Sequence, residues 1–280
     1  MFISYVFRHF LKQKVSCKQN LGGIMETPYI GITGFMKREQ VESVLMDLSL
    51  PPGYKLMVGG LAHGNHYFDK DARGEDKKPP RHPKTKDLPK IFIDDPRCLN
   101  LIHLHVPDNA NHASDMYVLV YNYIHICQDA GVRLDGFQLN MNLPNQEDLF
   151  EIRDSNPDVK IVIQLNNKVI NSFKTSDSLA KKLRQYAGIA NYLLFDKSGG
   201  TGKPLSTDEA TDYATAFDDQ HLPTLFGLGY AGGLSADTFP DLLPFLKMHR
   251  LFKPFSFDAE GKLHDPETGE LSLNRCKDYL

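Results

Sequence analysis

The chain has 280 residues, 41% of them hydrophobic and 24% charged, which is typical of a globular protein with a large core and excludes disordered, collagenous and low-complexity classes. Its formal net charge of −3 gives no reason to expect nucleic acid or an anionic membrane as a partner. No apolar run reaches the roughly 18 residues that span a bilayer. The four cysteines are far apart, which argues against a zinc or disulfide framework and favours a reducing cytoplasm.

Residues 1–25 differ from the rest because they carry four basic side chains and no acidic one. A basic, amphipathic stretch of this kind fits either a targeting segment or an extended start ahead of Met25. Neither interpretation makes it part of the fold. The sequence therefore predicts an N-terminal extension over 1–25 and a single domain over 26–280.

From residue 26 onward, apolar strand-like segments alternate with segments of helical spacing. The predicted strands, in chain order, are 28–33, 54–61, 101–106, 133–140, 159–165, 192–196, 224–229 and 253–258. The predicted helices are 37–48, 114–130, 146–153, 178–186, 208–217, 236–248 and 273–280. Continuous apolar runs are typical of parallel strands buried on both faces. Eight such units in about 250 residues predict a TIM (β/α)8 barrel, with a doubly wound open sheet as the alternative.

One connection is longer than the others. Residues 63–90, between the second and third predicted strands, are polar, charged and rich in proline. The stretch fits a solvated loop, and it also fits a lid, because the loop after a barrel strand opens on the catalytic face.

Two glycine-rich stretches follow the sixth and seventh predicted strands. Their candidate anion-binding residues are Gly199, Gly200, Thr201, Gly202, Gly232 and Gly233. Glycine lets backbone N–H groups approach a ligand closely, and late loops of barrels typically hold phosphate. The stretches therefore predict a site for a small anionic or phosphorylated ligand, although tight turns alone would also explain them.

Four motifs together resemble a known family. They are Ile-Gly-Ile-Thr at 30–33, Asp-Gly-Phe-Gln-Leu at 135–139, Leu-Phe-Asp at 194–196 with Gly-Gly-Thr-Gly-Lys at 199–203, and Ala-Gly-Gly-Leu at 231–234. In this order and spacing they resemble phosphoribosylanthranilate isomerase, the tryptophan-pathway barrel. The resemblance covers about residues 28–280.

The resemblance implies an Amadori rearrangement, which needs an acid at the ring oxygen and a base at the neighbouring carbon. It implies that Asp196 is the acid. The family's base is a cysteine immediately before Gly-Ile-Thr, where this chain has Ile30, and a family histidine corresponds to Asn140. Isoleucine cannot accept a proton, so the resemblance implies altered chemistry.

Alternation along the strands points His103, His105, Gln138, Asn140 and Gln164 into the barrel. Asp196 and Asp258, which end the sixth and eighth predicted strands, complete a polar set at its mouth. Buried polar groups need partners, so this set predicts a ligand site. His105 or His103 is a candidate base in place of the missing cysteine, the His-Leu-His pair could begin a metal site, or both histidines could simply line the pocket.

Together these patterns predict an isomerase-like enzyme that acts by acid/base chemistry on a small anionic or phosphorylated sugar-type substrate, without a cofactor. A monomer or a homodimer is expected. Two alternatives stay open: a barrel that binds a ligand without catalysis, and a metal-dependent hydrolase or lyase that uses His103 and His105.

Overall fold

Eight parallel strands close into a barrel in which each strand pairs with its neighbours in chain order. The strands are β1 (Tyr29–Thr33), β2 (Lys55–His63), β3 (Cys98–His105), β4 (Gly136–Asn140), β5 (Lys160–Asn166), β6 (Tyr192–Asp196), β7 (Gly227–Ala231) and β8 (Ser256–Ala259). Pairing of β1 with β8, with Gly31 opposite Asp258, closes the ring. This confirms the predicted TIM (β/α)8 fold.

The computed structural model describes residues 26–64, 81–106, 113–198, 207–248 and 254–280. The predicted extension over 1–25 and residues 65–80 of the polar connection lie outside these ranges. So do Gly199, Gly200, Thr201 and Gly202 of the first glycine-rich stretch.

Helices connect the strands on the outside of the barrel. They are α1 (Arg38–Met46), α2 (Ala113–Asp129), α3 (Gln146–Ser155), α4 (Asn167–Asn171), α5 (Ser176–Leu183), α6 (Thr207–Asp219), α7 (Leu222–Leu225), α8 (Phe239–Met248) and α9 (Leu273–Tyr279). Side-chain caps begin several of them; the Asn145 side chain, for example, accepts a hydrogen bond from the Glu147 N–H at the start of α3. Over the described ranges, no helix combines the length and the apolarity that crossing a membrane requires.

Alternation along each strand separates two apolar layers. On β1, Ile30 and Ile32 belong to the large cluster between the strands and the outer helices, whereas Tyr29 belongs to a smaller cluster inside the barrel. The inner cluster consists of Tyr29, Met57, Leu99, Leu101, Val162, Tyr192, Leu194 and Ala231. Side chains of opposite parity therefore face opposite layers, as the period of two requires.

The connection between β2 and β3 is more ordered than its composition suggests. β2 extends to His63, and a 3-10 helix spans Thr85–Ile91. Leu88 and Ile91 of this helix are buried, and a Cβ added at Gly60 would lie 2.8 Å from Leu88 Cδ1. The expectation of a solvated loop up to residue 90 is therefore wrong for its last part, which packs on the outside of β2.

Strand β7 begins later than predicted. Thr224 lies in the short helix α7 and not in a strand. His221 adopts a left-handed conformation (φ 57°) that ends α6, and Pro223 suits the first turn of the helix that follows. A proline and a left-handed residue at this point override the strand preference of the apolar run.

Strand β3 begins earlier than predicted, at Cys98. The polar residue Asn100 interrupts the apolar run, so the sequence predicts a later start of the strand. In the structure Asn100 is fully buried. Its side-chain amide donates to the Ile93 and Arg133 carbonyls, each at 2.9 Å, and these bonds satisfy it inside the barrel wall.

We expect Gly136→Ala to lower the free energy of unfolding by about 3 kcal/mol, because the new Cβ would overlap the Lys160 carbonyl on β5. Gly53→Ala is the control. Gly53 has φ 83° but open space around it, so only a left-handed backbone cost of about 1 kcal/mol is expected. Urea denaturation measures both variants, and equal losses would contradict close β4–β5 packing at Gly136.

Candidate functional site

Polar side chains occupy the interior of the barrel toward the carboxyl ends of the strands. His103, Gln138, Gln164, Asp196 and Asp258 are all buried. In barrels of this kind the ends of the strands carry the reacting groups. The structure therefore brings together the inward-pointing residues that the sequence singled out on five different strands.

Asp258 lies at the centre of this group. Its carboxyl accepts hydrogen bonds from Thr33 Oγ1 (3.0 Å to Oδ1) and from Gln138 Nε2 (3.1 Å to Oδ2). The pKa of Asp258 is raised to about 7, mainly by burial and also by the charges of Glu260 and Asp196, against the lowering effect of the hydrogen bonds from Gln138 and Thr33. This carboxyl can therefore both accept and donate a proton near neutral pH.

A chain of hydrogen bonds links Asp258 to Asp196. Gln138 Nε2 donates to Gln164 Oε1 at 3.2 Å, and Gln164 Nε2 donates to Asp196 Oδ2 at 2.7 Å. Asp196 also accepts from the Ser198 backbone N–H (3.0 Å) and hydroxyl (2.6 Å) at Oδ1. The two carboxyl groups are thus held in fixed orientations at the ends of β6 and β8.

His103 and His105 lie on the same face of β3 but in different surroundings. The pKa of His103 is lowered to about 3, mainly by burial and also by the charges of His105 and His82, so its imidazole is neutral near pH 7. His105 is only partly buried and its ring lies 4.7 Å from that of His63 between centroids. Of the two predicted bases, His103 is therefore a weak one.

The described ranges contain no group of three or more His, Cys, Asp or Glu side chains placed to hold a metal ion. His103 contacts Gln138 at 3.4 Å, and His105 contacts His63. The His-Leu-His pair therefore does not belong to a larger ligand cluster in this part of the chain.

Asn140 lies at the rim of the barrel. Its side-chain oxygen accepts a hydrogen bond from Asn166 Nδ2 at 3.1 Å. Asn166 in turn caps α4 by accepting from the backbone N–H groups of Lys168 and Val169. Both carboxamides are partly exposed, so this part of the rim can offer hydrogen bonds to a hydroxyl-rich ligand.

The loop after β7 packs against the end of β6. Gly232 and Gly233 have φ of 105° and 65°, a region that favours glycine. A Cβ at Gly232 would lie 3.3 Å from Asp196 Oδ1 and 3.2 Å from Ser198 Cβ. The second glycine stretch therefore borders the carboxyl group that the resemblance assigns as the acid.

Ile30 lies on the outer face of β1, not at the mouth of the barrel. It is fully buried among residues that pack against the helices. Linear alignment with the Gly-Ile-Thr motif therefore assigns the base to a position from which no side chain reaches the site. The β1 side chain that reaches it is Thr33.

Inward glycines make room for this arrangement. A Cβ at Gly31 would lie 2.8 Å from Asp258 Oδ1, and one at Gly59 would overlap Thr33 Oγ1. The Gly-Ile-Thr motif is thus explained by packing around Asp258. Sequence reasoning missed Thr33 and Ser198. Strand parity could have identified Thr33, because it lies on the same face of β1 as Gly31, and Gly31 pairs with Asp258.

Fold and site together define a (β/α)8 barrel with a polar, carboxyl-bearing interior, which is the architecture of barrel enzymes. No family model matches the sequence, and no curated protein matches it. Comparison with known proteins therefore rests on solved structures.

Several solved structures share this fold. Phosphoribosyl anthranilate isomerase from Thermotoga maritima is similar with a TM-score of 0.56 at 14% identity, covering 90% of this chain and 96% of that one. The isomerase from Thermococcus kodakaraensis gives 0.53 at 11%, covering 90% and 96%. The catalytic domain of a Pyrococcus furiosus chitinase gives 0.52 at 9%, covering 92% and 95%. At these identities the likeness shows a fold like that of the isomerases and not membership of their family.

We expect the stability of the protein to fall relative to that of Asp258→Asn as the pH rises from 4 to about 7. In this window the unfolded carboxyl ionises while the buried one keeps its proton, so the folded state loses stability, by up to about 4 kcal/mol. Below pH 4 and above pH 8 the difference should be constant.

Urea denaturation at several pH values measures this difference, with Asp154→Asn, at an exposed position, as the control. A wild-type minus Asp258→Asn difference that does not change with pH would show that Asp258 ionises normally in the folded protein.

Proposed function

We propose that this protein is a barrel enzyme that isomerises a small anionic or phosphorylated sugar-type substrate by acid/base catalysis. The observation that carries the proposal is the pair of buried carboxyl groups, Asp196 and Asp258, joined by hydrogen bonds through Gln164 and Gln138. Such isomerisation transfers protons and needs no oxidant, reductant or cofactor.

Asp196 is assigned as the acid and Asp258 as the base. Asp196 protonates the ring oxygen of the substrate while the lone pair of the heteroatom on the anomeric carbon forms a C=N or C=O double bond, which breaks the ring C–O bond. Asp258 removes the proton from the neighbouring carbon; the electron pair of that C–H bond forms the C=C bond of the enol, and the electron pair of the C=N or C=O bond moves to its heteroatom. With a pKa raised to about 7, Asp258 is near the best value for a base at neutral pH. His105 remains a second candidate for the base.

The loop at Gly232 and Gly233 is assigned to the anionic group of the substrate. Gly232 and Gly233 carry no Cβ that would keep an anion away from the backbone, and Gly232 lies beside Asp196. The glycine-rich stretch 199–202, which follows Asp196 in the sequence, is assigned to the same site.

The cysteines that the structure describes are all buried and unpaired. This is compatible with the cytoplasm as the setting of the protein.

The test is turnover of phosphoribosylanthranilate and a panel of aldose phosphates in heavy water. Isomerisation through an enol incorporates solvent deuterium at the carbon that exchanges its proton, which mass spectrometry detects. Wild-type protein should incorporate deuterium into at least one compound. Failure with every compound would argue for the alternative in which the barrel binds a ligand without catalysis.

We expect Asp258→Asn and Asp196→Asn each to lower kcat at least about 100-fold, the usual contribution of a general acid or base. In the wild type, kcat/KM should rise with pH and level off above about pH 7, because only the ionised form of Asp258 accepts a proton. Asp154→Asn, at an exposed position on α3, is the control and should leave kcat unchanged. Activity that survives both aspartate substitutions would overturn the assignment.

The binding-only alternative has one structural observation in its favour. The residue that β1 brings to the site is Thr33, whose hydroxyl hydrogen-bonds to Asp258, and it is not a base. Tight binding of a sugar phosphate without turnover, measured by calorimetry, would support that alternative. The metal-dependent alternative is tested by elemental analysis of the purified protein.

A further inference from the structure

The side-chain amide of Gln138 lies within reach of more acceptors than it can serve. Its Nε2 is 3.1 Å from Asp258 Oδ2, 3.2 Å from Gln164 Oε1 and 3.4 Å from His103 Nδ1. A primary amide nitrogen carries two hydrogens. One of the three contacts is therefore always without a hydrogen bond from Gln138.

The orientation of this amide follows from its neighbours. Turning it over would place Gln138 Oε1 against Gln164 Oε1, two acceptors facing each other, although Oε1 as it stands has no hydrogen-bond partner among the described residues. All four side chains are buried, so the three acceptors compete for the same two hydrogens.

The protonation state of Asp258 decides this competition. An ionised carboxylate is the strongest of the three acceptors, so it takes one N–H and Gln164 takes the other. When Oδ2 binds a proton it becomes a donor, and Thr33 Oγ1 lies 3.3 Å away to accept from it. The N–H that Gln138 gave to Oδ2 is then released, and a small rotation of the amide directs it to His103 Nδ1.

The hydrogen bond from Gln138 determines which ring nitrogen of His103 carries the proton. A neutral imidazole carries one N–H, and a ring nitrogen that accepts a hydrogen bond cannot be the protonated one. With Nδ1 accepting, the proton is on Nε2. Burial keeps the imidazole neutral in both states, with a pKa of about 3, so its tautomer changes and its charge does not.

We propose that Gln138 is a positioning residue that selects the Nε2–H tautomer of His103 when Asp258 binds a proton. In the proposed reaction Asp258 gains its proton when the substrate becomes an enol, which is when a neutral N–H donor for the oxygen of the substrate is most useful. The use of this tautomer change in catalysis rests on the proposed function. The link between protonation of Asp258 and the tautomer of His103 does not need a substrate.

The groups that face Asp258 come from several elements. They are Tyr29 and Thr33 on β1, Gln138 on β4, Asp196 on β6, Glu260 after β8 and Tyr279 on α9. Burial raises the pKa of both tyrosines well above the usual value, so they keep their protons between pH 5 and 9. Asp196 and Glu260 shift the titration of Asp258 by their charge.

The test is nuclear magnetic resonance of ¹⁵N-histidine-labelled protein between pH 5 and 9. Two-bond correlations from the ring hydrogens to the ring nitrogens show which nitrogen of His103 carries the proton, and His103→Gln assigns the signal. As the pH falls through the titration of Asp258, followed by its ¹³C carboxyl signal, the ratio of Nε2–H to Nδ1–H tautomer should rise about five-fold, the effect of one net hydrogen bond.

Two glutamine variants should act in opposite directions. Gln138→Leu removes the donor, so the tautomer ratio should no longer change with pH. Gln164→Leu removes one competing acceptor, so Gln138 can serve both Asp258 and His103, and the Nε2–H tautomer should predominate at every pH. Asp258→Asn should give a ratio independent of pH even if a glutamine variant fails to fold.

A tautomer ratio that stays constant while Asp258 titrates, or that changes equally in wild type and Gln138→Leu, would overturn the coupling. These spectra are recorded without substrate. Absence of turnover therefore counts against the proposed function alone, and a flat ratio in an active enzyme counts against the role of Gln138 alone.

Discussion

The burial of one carboxyl group, that of Asp258, is the constraint on which the interior of this barrel depends. A carboxyl removed from water must be neutralised or supplied with hydrogen bonds. Thr33 and Gln138 supply them from β1 and β4, and Gln138 is in turn oriented by Gln164 on β5. Four of the eight strands are therefore tied together by the requirements of one side chain, in addition to the backbone hydrogen bonds that close the barrel.

The same requirement explains the small residues around the site. Asp258 needs space on the inner face of β1 that any side chain at Gly31 would fill, and Thr33 needs the space that a side chain at Gly59 would fill. Glycine within a strand is unfavourable in itself. Its presence at both positions is understandable because the polar layer is crowded and each larger side chain must have a smaller one beside it.

The fold was largely predictable because its signal is repeated. Eight apolar runs separated by helical spacing leave few alternatives to a closed barrel, and errors at individual ends, such as those at β3 and β7, do not change the topology. These errors have local causes: the amide of Asn100 is satisfied inside the wall, and His221 with Pro223 breaks the run before β7. Neither effect is visible in hydrophobic periodicity.

The site was predictable only where strand parity determines direction. Parity placed His103, Gln138 and Gln164 in one layer. The motif assigned the position of the catalytic base to Ile30, which faces the outer helices. Spacing along the sequence alone does not determine which face of a strand a residue occupies. The hydrogen-bond partners, such as Ser198 at Asp196, depend on loop conformation and could not be derived.

Below the polar layer the barrel is filled by a plug of apolar side chains. The rings of Tyr29 and Tyr192 pack at 5.4 Å between centroids, and the Tyr192 hydroxyl donates to the Thr27 carbonyl at 2.8 Å. Among the described residues, this plug closes the barrel below Asp258, so the proposed substrate would enter and leave at the carboxyl ends of the strands. One bound molecule would then have to leave before the next could enter. The time for which a molecule stays bound would therefore limit how often the site is used.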